Sequence, residues 1–132
     1  MANDFWINLP VKDLNQSKEF FREVGFTVNP QGESVQISIG NTNVMLFPES
    51  TFKEFAGNEI ADPKQASEVL FSVGAGSREE VDELVQKAAN AGGTIYSEPR
   101  ESYGWMYGAG FIDLDGHRWN VLFMDMTKMP KQ

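Results

Sequence analysis

The chain states one structural pattern twice. The stretch FWINLPVKDLNQSKEFFREVGFTV, from Phe5 to Val28, reads as an alternating strand, a capped amphipathic helix, a glycine stop and a new strand. From Glu68, EVLFSVGAGSREEVDELVQKAANAGGTI repeats that order with one more helical turn. Each copy ends in a hairpin, ISIGNTNVMLF (Ile37 to Phe47) and IDLDGHRWNVL (Ile112 to Leu122). The hairpins align without a gap, Gly40 on Asp115 and Met45 on Asn120. A repeated unit too small to bury its own sheet face must close against its neighbour. The expected class is α+β, with two βαβββ modules forming a curved mixed sheet around a cup. Within a single domain spanning 1–132, module one covers about 4–48, a linker about 49–66 and module two about 67–125.

Local signals place the elements. Asp13 is an N-cap with Gln16 three residues on, a capping-box pattern. Leu14, Ser17, Phe20, Phe21 and Val24 line one helical face, and Gly25 ends the helix. In the second unit Ser77 caps with Glu80, Val81, Leu84, Val85, Ala88 and Ala89 form the stripe, and Gly92-Gly93 stop it. The linker holds a short helical piece, STFKEFAG, and a polar connector around Asp62-Pro63.

Strand alternation divides the sheet into two faces. Phe5, Ile7, Leu9 and Val11 go to the helix, leaving Trp6 and Asn8 on the open side. Val69, Phe71 and Val73 pack likewise, leaving Glu68, Leu70 and Ser72 open. In the first hairpin Gln36, Ser38, Met45 and Phe47 face the cup. In the second, Tyr107, Phe111, Asp113, Arg118, Asn120 and Leu122 do so, while Ile112, Leu114, Trp119 and Val121 pack. Aromatic walls with a few separated polar groups suit a small-molecule pocket.

Composition removes several classes of function. With 19 acidic residues against 11 basic ones the net charge is −8, and no basic stripe is present to bind a nucleic acid. No apolar run approaches the roughly 18 residues of a membrane span. The start MANDFW has neither the basic region nor the apolar core of a signal peptide, so a cytoplasmic location is expected. With no cysteine, disulfides, thiolate metal sites and cysteine nucleophiles are excluded.

The opening N-L-P-V-K-D-L with S-K-E-F-F-x-x-x-G-F, and the closing F-x-D-L-D-G-H-x-W with V-L-F-M-D, resemble the glyoxalase / bleomycin-resistance / extradiol-dioxygenase (vicinal oxygen chelate) superfamily. M-Y-G-x-x-F-x-D-L-D-G-H-x-W and S-R-E-E-V-D-E-L-V are similar to its bacterial subgroup of predicted lactoylglutathione lyases. The resemblance runs from Phe5 to Asp125 and implies the fold more than the reaction, because one fold hosts many functions. It implies four ligand positions in metal-dependent members, one each on the first, fourth, fifth and eighth strands. Carried over, these fall on Trp6, Met45, Glu68 and Asn120. Indole offers no lone pair and a thioether suits soft ions, so neither a metal site nor another cofactor is expected.

The candidate ligand-binding residues are therefore Trp6, Asn8, Met45, Phe47, Glu68, Trp105, Tyr107, Phe111 and Asn120. Glu68 is the one candidate general acid or base, and it is also placed to pair with Arg118 across the sheet. The segment Glu101 to Trp105 reads as a loop over the cup, and His117, the only histidine, as a turn or surface residue. The expected function is metal-independent capture of a small aromatic or cationic molecule by a homodimer, dimerisation being the superfamily's habit. The alternative is a lyase or dioxygenase of the same superfamily with a non-standard site using Glu68.

Overall fold

The computed structural model describes residues 4–128. Its eight strands divide into two four-stranded mixed sheets. The first contains β1 (Trp6–Val11), β2 (Thr27–Gln31), β3 (Ser34–Ile39) and β4 (Thr42–Pro48) in the order β1-β4-β3-β2. The second contains β5 (Phe71–Gly74), β6 (Thr94–Ser102), β7 (Met106–Ile112) and β8 (Arg118–Met124) in the order β5-β8-β7-β6. In each, the first strand runs parallel to the last and the other neighbours are antiparallel. Helix α1 (Leu14–Val24) follows β1, and α3 (Arg78–Asn90) follows β5. Each module is thus βαβββ, and α2 (Glu49–Ala56) lies in the connection between them.

The caps form as their residue types dictate. The Asp13 carboxylate accepts the Gln16 N–H and the Ser77 hydroxyl accepts the Glu80 N–H, each satisfying an orphan donor of the first turn. Gly25 takes a left-handed φ of 111°, which a side chain there would oppose. Ser17, Phe20, Phe21 and Val24 of α1 are buried, as are Val81, Val85 and Ala88 of α3.

Both modules feed one core. Phe21 and Phe26 from the first lie 5.5 and 5.6 Å from the Trp119 ring of the second, and Phe20 lies 6.2 Å from Phe111. Phe111 and Trp119 pair across β7 and β8 and stack at 6.0 Å. Because the helix-side faces of both sheets converge here, their other faces are turned away from the core.

That geometry corrects one strand. Trp119 packs inward as expected, so its cross-strand partner Phe111 must share its face. Phe111 is fully buried, and four residues away Tyr107 turns to the same side, its hydroxyl donating to Asp82 of α3 at 2.7 Å. Tyr107 and Phe111 therefore belong to the helix side, and Ile112 shares the open face with its partner Arg118. Glu101 to Trp105 is not a loop over a cup either. Strands β6 and β7 continue to Ser102 and Met106, joined by a tight turn in which Tyr103 and Gly104 have φ of 59° and 76°.

The β7–β8 turn ties the modules together. The Asp115 carboxylate accepts the Lys12 N–H at 2.9 Å and the Ser17 hydroxyl at 3.0 Å, at the β1–α1 junction. His117 lies in this turn as expected, but it is 8% exposed, and its Nε2–H donates to the Pro10 carbonyl at 3.0 Å. Behind it, buried Asp113 accepts the His117 and Asp115 N–H groups and the Trp119 indole N–H. Burial raises the Asp113 pKa, opposed by His117 and the hydrogen bonds it accepts. Its ionised form therefore costs stability at neutral pH, and that cost fades as pH falls through the raised value. Gly116, at φ 96°, passes so close to the linker that a Cβ would meet Lys64 at 2.6 Å.

Asp115→Ala removes both contacts to the β1–α1 junction. It should lower the unfolding free energy by about 1–3 kcal/mol, the range for hydrogen bonds to a charged acceptor, read from urea unfolding. A change within about 0.5 kcal/mol would show that the turn merely lies against the junction.

Candidate functional site

A cavity of about 530 Å³ opens where the edge of β1 meets the beginning of module two. Its walls are largely apolar, among them Phe5, Ile7, Phe52, Ile60, Val69 and Phe71. Its polar lining residues are Asn8, Asn58, Glu59, Ser67, Glu68, His117 and Arg118. Helix α2 and the linker form one side, because Phe55 of α2 packs edge-on against Phe47 at 5.1 Å on the open face of the first sheet.

Asn8 is the distinctive group. It stands on β1 opposite Met45, and its Oδ1 is shut from solvent with no hydrogen-bond partner. An unpaired buried acceptor costs about 1–3 kcal/mol, so this oxygen, shut in at a residue of the cavity lining, lacks a donor. His117 Nε2–H cannot serve because it is engaged by Pro10. Glu68 lies in the irregular segment before β5 and is exposed, lining the mouth of the cavity. Arg118 forms no ion pair with it, and its guanidinium sits 4.5 Å over the Tyr96 ring.

The cavity gathers Asn8 and Glu68 and leaves the other expected residues elsewhere. Trp6 is 56% exposed and borders a shallow hollow with Asn41 and Asn43. Met45 lies on the same sheet face, between Asn8 and Gln36. Phe47 meets Phe55. Trp105 lies in the β6–β7 turn, its carbonyl accepting the Asp125 N–H at 2.7 Å. Asn120 faces the open side of the second sheet, where its Oδ1 accepts the Tyr96 hydroxyl at 3.1 Å. Sequence reasoning missed Phe52 and Ile60, whose linker positions carry no strand alternation. It also missed the His117 bond to Pro10.

Strand register changes the equivalence between the modules. Met45 pairs with Asn8, and Asn120, its counterpart in the aligned hairpins, pairs with Ser72. Asn8 therefore corresponds to Ser72 and Trp6 to Leu70, an offset that also superimposes the caps Asp13 and Ser77 and the buried positions Phe21 and Val85. Glu68 lies two residues earlier, so it is not the counterpart of Trp6. The positions answering to a ligand set are then Trp6, Met45, Leu70 and Asn120, an indole, a thioether, an alkyl chain and an amide. Those donors do not fit a divalent ion. Among the described residues no group of three or more His, Asp or Glu is placed to hold a metal.

The comparisons with known proteins agree with this architecture. A hypothetical protein from S. aureus is 40% identical over 93% of this chain and 94% of its own, with a TM-score of 0.85. A lactoylglutathione lyase from Agrobacterium tumefaciens shares the fold at 18% identity, covering 96% of both chains with a TM-score of 0.67. A genomically encoded fosfomycin resistance protein from Listeria monocytogenes does so at 17% identity, over 97% of this chain and 98% of its own, with a TM-score of 0.70. No curated protein matches the chain. The sequence pattern of one superfamily matches residues 5–121, and with two βαβββ modules in place the chain belongs to the Glyoxalase/Bleomycin resistance protein/Dioxygenase superfamily.

Proposed function

We propose that this protein captures a small organic molecule without a metal, in the cavity between β1, α2 and the linker. The observation that carries the reading is the buried, unpartnered Oδ1 of Asn8 at a largely apolar cavity. A ligand with an aromatic or aliphatic body would cover Phe5, Phe52, Ile60 and Val69, and an ammonium or amide donor would meet Asn8. Glu68 and Glu59 at the mouth favour a cationic head, Glu68 by charge and not as a general acid or base.

The apo protein and the complex should respond oppositely to Asn8→Val. Removing an unpaired acceptor should leave thermal stability unchanged or raise it, whereas affinity for amine-bearing aromatic ligands should fall by about 1–3 kcal/mol, measured by calorimetry. Glu68→Gln should weaken cationic ligands more than neutral ones of the same shape. If Asn8→Val destabilises the free protein and spares binding, the amide is structural and the reading fails.

Elemental analysis of purified protein should find no stoichiometric zinc, nickel, manganese or iron. Hemithioacetals and catechols should not turn over. Chelation-resistant metal near one equivalent, or turnover lost in Glu68→Gln, would favour the lyase or dioxygenase alternative.

We also propose a cytoplasmic homodimer, in which a second copy covers the faces turned away from the core. Those faces and the adjoining edges leave Trp6, Leu70 and Met124 at 56, 51 and 44% exposure. Light scattering should give twice the 14.8 kDa chain mass, and Trp6→Lys should shift it toward the monomer.

A further inference from the structure

We propose that the segment from Glu49 to Leu70, helix α2 with the linker that follows it, is a gate. It swings from the two modules as a unit while both sheets stay folded, and its opening admits ligand to the cavity at β1. The admission step rests on the ligand-capture reading above; the opening does not.

The need for a gate comes from Asn8. Its Oδ1 is closed to solvent, and an atom that water cannot reach is out of reach of a ligand as well. A donor arrives only after part of the surroundings has moved. Strand β1 is not that part. It is paired with β4 along its whole length, and Pro10 and Lys12 are bonded to His117 and Asp115 of the β7–β8 turn.

The segment is attached differently. Its polar bonds close within it: the Gly57 N–H donates to the Lys53 carbonyl at 2.9 Å, the Gln65 N–H to the Asp62 carbonyl at 3.1 Å, and Lys53 pairs with Glu59 at 2.7 Å. Among the described residues, no hydrogen bond or ion pair joins it to either module. None of its residues is buried, whereas α1 and α3 both send side chains into the core. Its N-cap, Pro48, supplies no side-chain bond.

Packing holds it at two places. Phe55 meets Phe47, and Pro63 and Lys64 lie against Gly116. Even so, Phe55 remains 63% exposed. A segment without buried apolar residues, and with its backbone bonds near solvent, belongs to the low-stability end of a fold, where local opening precedes global unfolding. Its internal bonds need not break when it leaves, so it moves as a body about its ends, Pro48 and the exposed run from Ser67 to Leu70. Lids of this kind open in microseconds to milliseconds.

The test begins with NMR relaxation dispersion on the free full chain, which reads that timescale. Phe52, Ile60 and Ala66 of the segment should share one exchange rate with Asn8 and Gly116, while β2, β3, β6 and β7 stay flat. Phe55→Ala removes one of the two packing contacts and should raise the open population about threefold, within the range for losing one aromatic pair. That rise should appear at Ile60 and Ala66 as fully as in α2. Naphthylmethylamine, an aromatic body with an ammonium, serves as the ligand probe. Its association rate constant should increase in Phe55→Ala by the same factor as the open population, and saturating probe should quench the dispersion. Flat profiles, or exchange confined to α2 as in simple helix fraying, would overturn the gate. So would a bound probe whose association rate is indifferent to Phe55→Ala. No binding of the probe by calorimetry would overturn the capture reading and the admission step with it, leaving the opening to stand or fall on the dispersion alone.

Discussion

The contact on which the rest of the structure depends is the meeting of Trp119 with aromatic rings from both modules. Its indole meets Phe21 and Phe26 of the first module and, on the strands flanking β8 to either side, Phe71 and Phe111, at ring separations between 4.9 and 6.0 Å. Its N–H is held by Asp113, whose other oxygen organises the turn that reaches Pro10 and Ser17 through His117 and Asp115. One side chain thus couples apolar burial to the polar tie between modules. Rings of this size supply several kcal/mol each when buried, which the small face of a four-stranded sheet could not gather alone. The DLDGHRW run is the sequence of that joint. Its acids, glycine, histidine and tryptophan are each accounted for by bonds within or across it.

Placing the core between the sheets determines where ligands can go. Each sheet has committed its helix-side face, so chemistry must use the opposite faces or the seam where the modules meet. The two opposite faces differ. That of the first sheet carries amides and hydroxyls such as Asn8, Asn29, Gln36 and Ser38 and no charged residue. That of the second carries Arg100 and Arg118. A protein of net charge −8 has set most of its acids on its helices and loops, with Glu98 and Glu101 on β6.

Most of the fold was legible because periodicity reports burial directly. The stripes of both helices, both N-caps and the faces of β1 and β4 follow from spacing alone. Strand β7 was not legible, because GAGFI places two large apolar residues side by side and offers no alternation to choose between them. The choice is made by Trp119, opposite Phe111, and cross-strand partnership is invisible until the register is known. The same limit displaced Glu68. Aligning the modules on their apolar strand residues pairs Trp6 with Glu68, whereas the hydrogen-bonded register and the helix caps pair Trp6 with Leu70. A slip of two residues preserves every inward and outward assignment, so no hydrophobic pattern could expose it.

Register also explains why the two modules no longer share a chemistry. The paired positions Asn8 and Met45 of the first sheet answer to Ser72 and Asn120 of the second. In the first module the amide sits on the parallel edge strand, where α2 folds over it and leaves its oxygen dry. In the second the amide sits one strand further in, beside Gly110, where Tyr96 takes its oxygen and turns its NH₂ outward. The same functional group therefore has an unpartnered oxygen in one half and a partnered oxygen in the other. The hairpin turns diverge in parallel. Gly40 has no side chain to do what Asp115 does, so among the described residues only the turn of the second module is hydrogen-bonded to its neighbour. A duplicated unit that kept both copies identical would offer one ligand chemistry twice. Here the differences fall on open-face and turn positions, while the buried stripes stay matched, which lets recognition change without loss of the common core.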